Sequence, residues 1–146
     1  MRRAGASERY LFGDDYFRGV LGFERSWLLL AAREGGDPAA GAIAAASDGY
    51  LHYYLGGTAD EALRDSPMKN LFSAMIELAR EIDLPLSLGG GVAPGDSLEE
   101  FKRGFANAEA EFRTHEIVCD PEAYRDLSAS AAGDPGDFFP AYRAGA

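Results

Sequence analysis

The spacing of apolar and polar residues predicts three strands in the first part of the chain. Residues 26–32 (Ser-Trp-Leu-Leu-Leu-Ala-Ala) form an apolar run of strand length, and the Gly, Asp and Pro residues after it favour a turn. Residues 39–46 are the expected return strand of a hairpin, although their many alanines also fit a helix. A second turn at residues 47–49 leads to a third strand, residues 50–55. Alternation places Tyr50, His52 and Tyr54 on one face of that strand and Leu51, Tyr53 and Leu55 on the other.

The apolar residues that follow these strands are spaced as in an α-helix. One apolar stripe runs through residues 67–82 and contains Met68, Leu71, Phe72, Met75, Ala79 and Ile82. Ser66 is a favourable N-cap for this helix, and Pro67 suits its first position. We therefore predict a long helix with one buried face.

Shorter helices and a short strand are predicted before and after these elements. Asp14 and Asp15 are expected to cap a helix that ends near Leu21. Residues 84–88 predict a short strand that runs directly into three glycines. The spacing of Ser97 and Glu100 is that of a capping box, so we expect a helix to begin at Leu98.

The overall order predicts an α/β (α+β) fold, a mixed sheet of about five strands with helices packed on it. Residues 111–119 are expected to form the last strand, with Cys119 as a small core residue. We predict one domain over residues 1–127 and a flexible tail over residues 128–146, whose aromatic residues could dock on the body.

Composition and charge exclude several classes of protein. The chain has 146 residues, a formal charge of −10 and an apolar fraction of 47%, which favours a folded protein over a disordered one. Its acidity disfavours nonspecific binding of nucleic acid. No apolar run is long enough to span a membrane and the N-terminus lacks the order of a secretory signal, so we expect a cytoplasmic protein. A lone cysteine excludes an intrachain disulfide, and no ligand spacing predicts a metal site.

Three features are candidates for chemistry. Lys102 lies at the edge of the apolar stripe formed by Leu98, Phe101 and Phe105, where its ammonium could meet a developing negative charge or simply cover Phe105. The second feature is the triple glycine, Gly89, Gly90 and Gly91, which could form either an anion-binding nest or a plain turn. The third is the pair His52 and Tyr54. His52 is the best candidate for a base because its ordinary pKa lies near neutrality, although a structural histidine is the alternative.

These residues carry a family resemblance. Residues 50–58 (Tyr-Leu-His-Tyr-Tyr-Leu-Gly-Gly-Thr), Ser66-Pro67 with the helix after it, and the span from the glycines to Phe-Lys-Arg-Gly-Phe at residues 101–105 resemble the GNAT superfamily of N-acyltransferases. Within it, the chain is most similar to the Fem-type branch, which includes the aminoacyl transferases of peptidoglycan cross-bridges. The likeness covers residues 26–127.

The resemblance implies transfer of an acyl or aminoacyl group to a small-molecule or peptide amine, in a cleft where residues 50–55 and 84–88 splay apart. Lys102, His52 and Tyr54 are then the catalytic candidates. Gly89, Gly90, Gly91, Ser66, Phe101 and Phe105 are the candidates for binding donor or substrate. The donor is left open: acetyl-coenzyme A or another acyl donor, or aminoacyl-tRNA, which acidity disfavours.

The chain departs from the superfamily pattern in two places. Residues 64–69 lack the glycines of the loop that binds coenzyme A pyrophosphate, and Pro67 donates no N–H to an anion. The region before residue 26 is short, which is compatible with a reduced relative, a fragment or one half of a homodimer. Both departures favour the alternative of a noncatalytic scaffold module that has lost the donor site. A further alternative, an acyl-coenzyme A acetyltransferase, is weakened by Pro67.

Overall fold

The computed structural model describes residues 11–91, 95–130 and 136–144. The chain divides into two compact units, residues 1–108 and residues 109–146. This division falls before the predicted boundary at residue 127, and the extent of the acyltransferase domain stays a prediction.

The first unit is built on one mixed sheet. Its strands are β1 (Ser26–Ala32), β2 (Pro38–Ser47), β3 (Tyr50–Thr58) and β4 (Leu86–Ser87), in the order β1-β2-β3-β4. The first three form an antiparallel meander, and β4 pairs with β3 in parallel. The predicted mixed α+β fold is confirmed, but the described residues form four strands instead of about five.

The long helix α2 (Met68–Glu81) covers one face of this sheet. It buries Leu71, Phe72, Met75 and Ala79 against a column of small residues on β2, Ala40, Ala42 and Ala44. Small side chains let the helix approach the strand closely. The alanine-rich segment is a strand and not a helix because it is hydrogen-bonded to a strand on each side. The hairpin and the helix are where the apolar pattern predicts them.

Three predicted helix caps are wrong. Gly13, not an aspartate, is the N-cap of α1 (Asp14–Leu21). Ser66 makes no side-chain cap for α2; it has a left-handed backbone (φ 51°) and ends a 3-10 helix, Asp60–Asp65. Helix α3 (Ser97–Arg103) is capped by Asp96, whose carboxylate accepts the Glu99 N–H at 2.8 Å. At α3 the two candidates, Asp96 and Ser97, have similar capping propensities, so sequence alone does not choose between them.

The second unit contains helix α4 (Pro121–Ala129) and a short 3-10 helix, Ala141–Arg143. The Tyr124 ring stacks on Phe139 with centroids 5.8 Å apart, and its hydroxyl accepts the Ala141 N–H at 3.0 Å. The tail aromatics therefore contact α4 within this unit.

The predicted last strand is wrong. Residues 109–120 have no helix or strand and are exposed, and so is Cys119, which is not a core residue. A strand needs a neighbouring edge to satisfy its backbone groups, and apolar character alone does not supply one.

Candidate functional site

The parallel ladder between β3 and β4 ends after two residue pairs. Leu51 pairs with Leu86, and His52 pairs with Ser87. Beyond these pairs β3 continues to Thr58. The segment that follows β4 leaves the sheet at Gly89, whose backbone is left-handed (φ 65°). Glycine adopts this conformation without the steric strain of a side chain. We call the space beside Tyr53, Gly89, Gly90 and Lys102 the interstrand gap.

Lys102 projects into the interstrand gap. The residue is 9% exposed, and it is the one buried charged residue in the described part of the chain. The Nζ atom donates a hydrogen bond to the Gly90 carbonyl at 2.6 Å and lies 5.5 Å from the centre of the Tyr53 ring. This geometry differs from that of a surface lysine covering Phe105.

The electrostatics of the gap follow from burial. Desolvation lowers the pKa of Lys102, because it disfavours the ammonium, while the negative charge of Asp96 opposes that shift. Desolvation also raises the pKa of Tyr53, which keeps its hydroxyl protonated at neutral pH. The gap thus combines a partly desolvated amine with a neutral phenol.

Gly89, Gly90 and Gly91 make room for Lys102 and Asp96 in different ways. A Cβ on Gly89 would lie 3.8 Å from Nζ of Lys102, and one on Gly91 would overlap the Asp96 carboxylate. The Gly90 carbonyl is already an acceptor for Lys102. A carboxylate against Gly91 repels a second anion, so the surroundings of the triplet favour holding Lys102 over holding an anion on its own N–H groups.

Phe101 and Phe105 anchor the helix that carries Lys102. Their ring centroids lie 5.5 and 5.1 Å from that of Phe72 in α2. Tyr53 contacts the same ring at 5.0 Å. These contacts fix α3 on the α2 face of the sheet; a role of Phe101 and Phe105 in donor binding stays a prediction.

His52 and Tyr54 line a separate groove of about 520 Å³. Its apolar lining comes from Val20, Phe23, Ala45 and Ala46, and Arg25 and Asp48 add charge. The His52 Nε2 atom lies 3.3 Å from the Ser47 carbonyl oxygen, and the Tyr54 hydroxyl is hydrogen-bonded to that of Tyr16 in α1. This hydrogen bond raises the pKa of Tyr16. We call this space the α1-side groove.

The structure does not bring His52 and Tyr54 together with Lys102. Leu51 and Tyr53 pack against the α2 side of the sheet, and His52, between them, points to the opposite face. Tyr54 is the extra residue of a β-bulge and lines the α1-side groove with His52. The predicted catalytic residues therefore lie on opposite sides of the sheet: His52 and Tyr54 line the α1-side groove, whereas Lys102 of α3 lies on the α2 side.

The start of α2 does not fit a pyrophosphate. Pro67 is buried and has no N–H, and the amides of Lys69 and Asn70 donate to the carbonyls of Ser66 and Pro67 at 3.0 and 3.1 Å. Asp65 beside them pairs with Arg33. Few donors are left to cradle an anion there.

Sequence reasoning missed Tyr53 and Asp96. Alternation already places Tyr53 on the face of Leu51, so its contact with α2 could have been anticipated. Asp96 precedes Glu99 by three residues, which is itself a capping pattern. Its position beside Lys102 and Gly91 depends on tertiary structure.

Two kinds of feature are absent from the described ranges. No group of three or more His, Cys, Asp or Glu residues there is arranged to hold a metal ion. None of the helices in those ranges combines the length and the apolar character needed to cross a membrane.

A family comparison identifies the fold. The family model described as "Acetyltransferase (GNAT) domain" matches residues 2–103, which is more than half of the chain. The chain belongs to this family. No curated protein and no solved structure matches it significantly. The GNAT assignment agrees with the mixed sheet and supports an N-acyltransferase in general.

Proposed function

We propose that this GNAT domain transfers an acyl or aminoacyl group to an amine by direct attack, as a Fem-like transferase. The donor carbonyl lies in the interstrand gap, and Lys102 stabilises the oxyanion that forms when the amine attacks. The observation that carries the proposal is the burial of this lysine where the β3–β4 ladder ends.

The physical argument concerns the dielectric environment. A cation fixed in a partly desolvated site interacts more strongly with developing negative charge than one in water does. The hydrogen bond to Gly90 holds Nζ in place before reaction, so little reorganisation is needed. The Tyr53 ring, 5.5 Å from Nζ, helps to keep the ammonium in this position.

The acceptor is assigned to the other face. The α1-side groove offers His52 as the base for the amine proton, with Tyr54 as a hydrogen-bonding partner. In the described part of the chain the β3–β4 ladder has no pair beyond His52–Ser87, and in this proposal the amine reaches the donor carbonyl past that end of the ladder. The C–N bond forms as the bond to the leaving group breaks, and the proton passes to His52.

The Fem-like assignment is favoured over a coenzyme A enzyme by the start of α2. The blocked donors at Pro67, Lys69 and Asn70 argue against a pyrophosphate there. Aminoacyl-tRNA is the donor class that the resemblance implies, although a net charge of −10 opposes it.

The test is a turnover assay with two donors, aminoacyl-tRNA and acetyl-coenzyme A, against a panel of small amines and amine-bearing peptides. We expect product with wild type and with Lys69→Met, and loss of it with Lys102→Met. Lys69 is the exposed matched control. Equal turnover of the two variants would overturn the role of Lys102.

A noncatalytic binding module is the second candidate. The same blocked helix start favours it, because a module that has lost its donor site needs no free amides there. It predicts no turnover and no thermal stabilisation by either donor, since a ligand that binds the folded state raises the melting temperature.

A further inference from the structure

The chain contains only two lysines, and they have opposite environments. Lys69 is exposed on α2, whereas Lys102 is buried in the interstrand gap. Lys69 is therefore an internal reference for any reaction that selects the buried amine of Lys102.

The contacts of Lys102 suit a neutral amine as well as an ammonium. One N–H of either form can donate to the Gly90 carbonyl, and the neutral form keeps a lone pair free. The partner is an uncharged carbonyl, which does not favour the charged form as a carboxylate would. The titratable groups facing Nζ are Tyr53 from β3 and Asp96 before α3, and α2 presents the apolar Phe72.

We infer that Lys102 is a self-acylation site: its Nζ attacks the donor bound in the interstrand gap and becomes an amide. The Nζ lone pair forms a C–N bond to the carbonyl carbon, and the bond to the leaving group breaks, C–O in an aminoacyl ester or C–S in a thioester. The proton lost from nitrogen goes to the departing alkoxide or thiolate, so the products are an amide and an alcohol or a thiol. No other reactant is needed.

This reaction has a consequence for the enzyme. An amide at Nζ carries no charge and does not hydrolyse readily, so the modified protein lacks the cation that stabilises the oxyanion. Self-acylation is then a slow inactivation that competes with transfer to the amine acceptor. The inference rests on the proposed function because that function brings the donor carbonyl to Lys102.

The lowered pKa of Lys102 supports this chemistry. At a pH below both pKa values, each unit of difference gives a tenfold larger neutral fraction to the amine with the lower pKa. Asp96 opposes the shift, so removing its charge should favour the neutral amine further. Asp96→Asn keeps the capping function, since asparagine is an equally good N-cap.

The experiment uses the full chain with three donors in separate reactions: aminoacyl-tRNA, acetyl-coenzyme A, and S-acetyl-N-acetylcysteamine, a thioester without a nucleotide. Acylation of each lysine is followed by peptide mass spectrometry at several pH values. We expect Lys102 to be acylated severalfold faster than Lys69 with at least one donor. We also expect Asp96→Asn to raise the ratio and urea to abolish it.

Equal or slower acylation of Lys102 than of Lys69 with all three donors in the folded protein would overturn the inference. Transfer to added amines is measured in parallel. Transfer without modification of Lys102 rejects self-acylation and keeps the proposed function. Modification of Lys102 without transfer to any amine supports the reactive lysine and rejects the transferase.

Discussion

Replacing Lys102 with methionine should separate function from stability. Methionine has a similar length and no charge, so it fills the interstrand gap without requiring desolvation. It removes the hydrogen bond to Gly90, which for a charged donor contributes about 1.5–3 kcal/mol. It also removes the contact with the Tyr53 ring, about 0.5–2 kcal/mol.

The free-energy cost of desolvating the Lys102 ammonium opposes these two contributions and has a similar size. A buried ammonium costs several kcal/mol of desolvation, and methionine relieves that cost. Gly90 is exposed, so water can replace the lost donor. We therefore expect Lys102→Met to change the free energy of unfolding by less than about 2 kcal/mol in either direction. Lys102→Ala, which leaves a cavity, should be about 2–4 kcal/mol less stable than the methionine variant.

Turnover should respond differently. Loss of a charge-stabilising group at an oxyanion typically reduces kcat by about 10²–10³-fold, and we expect this for both variants. Urea denaturation and steady-state kinetics measure the two effects separately. A methionine variant that is as unstable as the alanine variant, or that retains full turnover, would refute the argument.

The same variant tests the titration of Lys102. Its pKa is lowered in the folded state from an ordinary value of 10.5, so between the two pKa values the unfolded chain binds more protons. Stability of the wild type should then rise with pH across that window. The methionine variant should lack this rise, and an identical pH dependence of the two proteins would contradict it.

Three other predictions concern the surroundings of the site. Gly89→Ala should cost about 1–2 kcal/mol in urea denaturation because φ is 65° there, whereas Gly90→Ala, with open space and an ordinary φ, should cost less. Tyr54→Phe should lower the pKa of Tyr16 toward its ordinary value in a tyrosine NMR titration, because the hydrogen bond to Tyr54 is the main cause of the raised pKa; an unchanged midpoint would contradict that cause. Ala42→Leu should destabilise the first unit by about 1–3 kcal/mol through overpacking against α2, with Gly57→Ala, which meets no atom within 4 Å, as the tolerated control.

The sequence by itself determined the elements whose signals are local. Apolar spacing at 3.6 residues set α2, and apolar runs between turn residues set the hairpin of β1 and β2. The resemblance in the segments around His52 and Lys102 led to the GNAT family. The Fem-type branch and the catalytic roles remain proposals, because no comparison distinguishes them.

Only the tertiary structure decided which side chains meet. The burial of Lys102 depends on α3 packing against Phe72, and its nearest carboxylate, Asp96, comes from the turn before that helix. The separation of His52 from Lys102 depends on which face of β3 receives α2. Residues 109–120 were predicted as a strand from their apolar residues, but strand pairing is a contact between distant segments, and local pattern does not specify the partner.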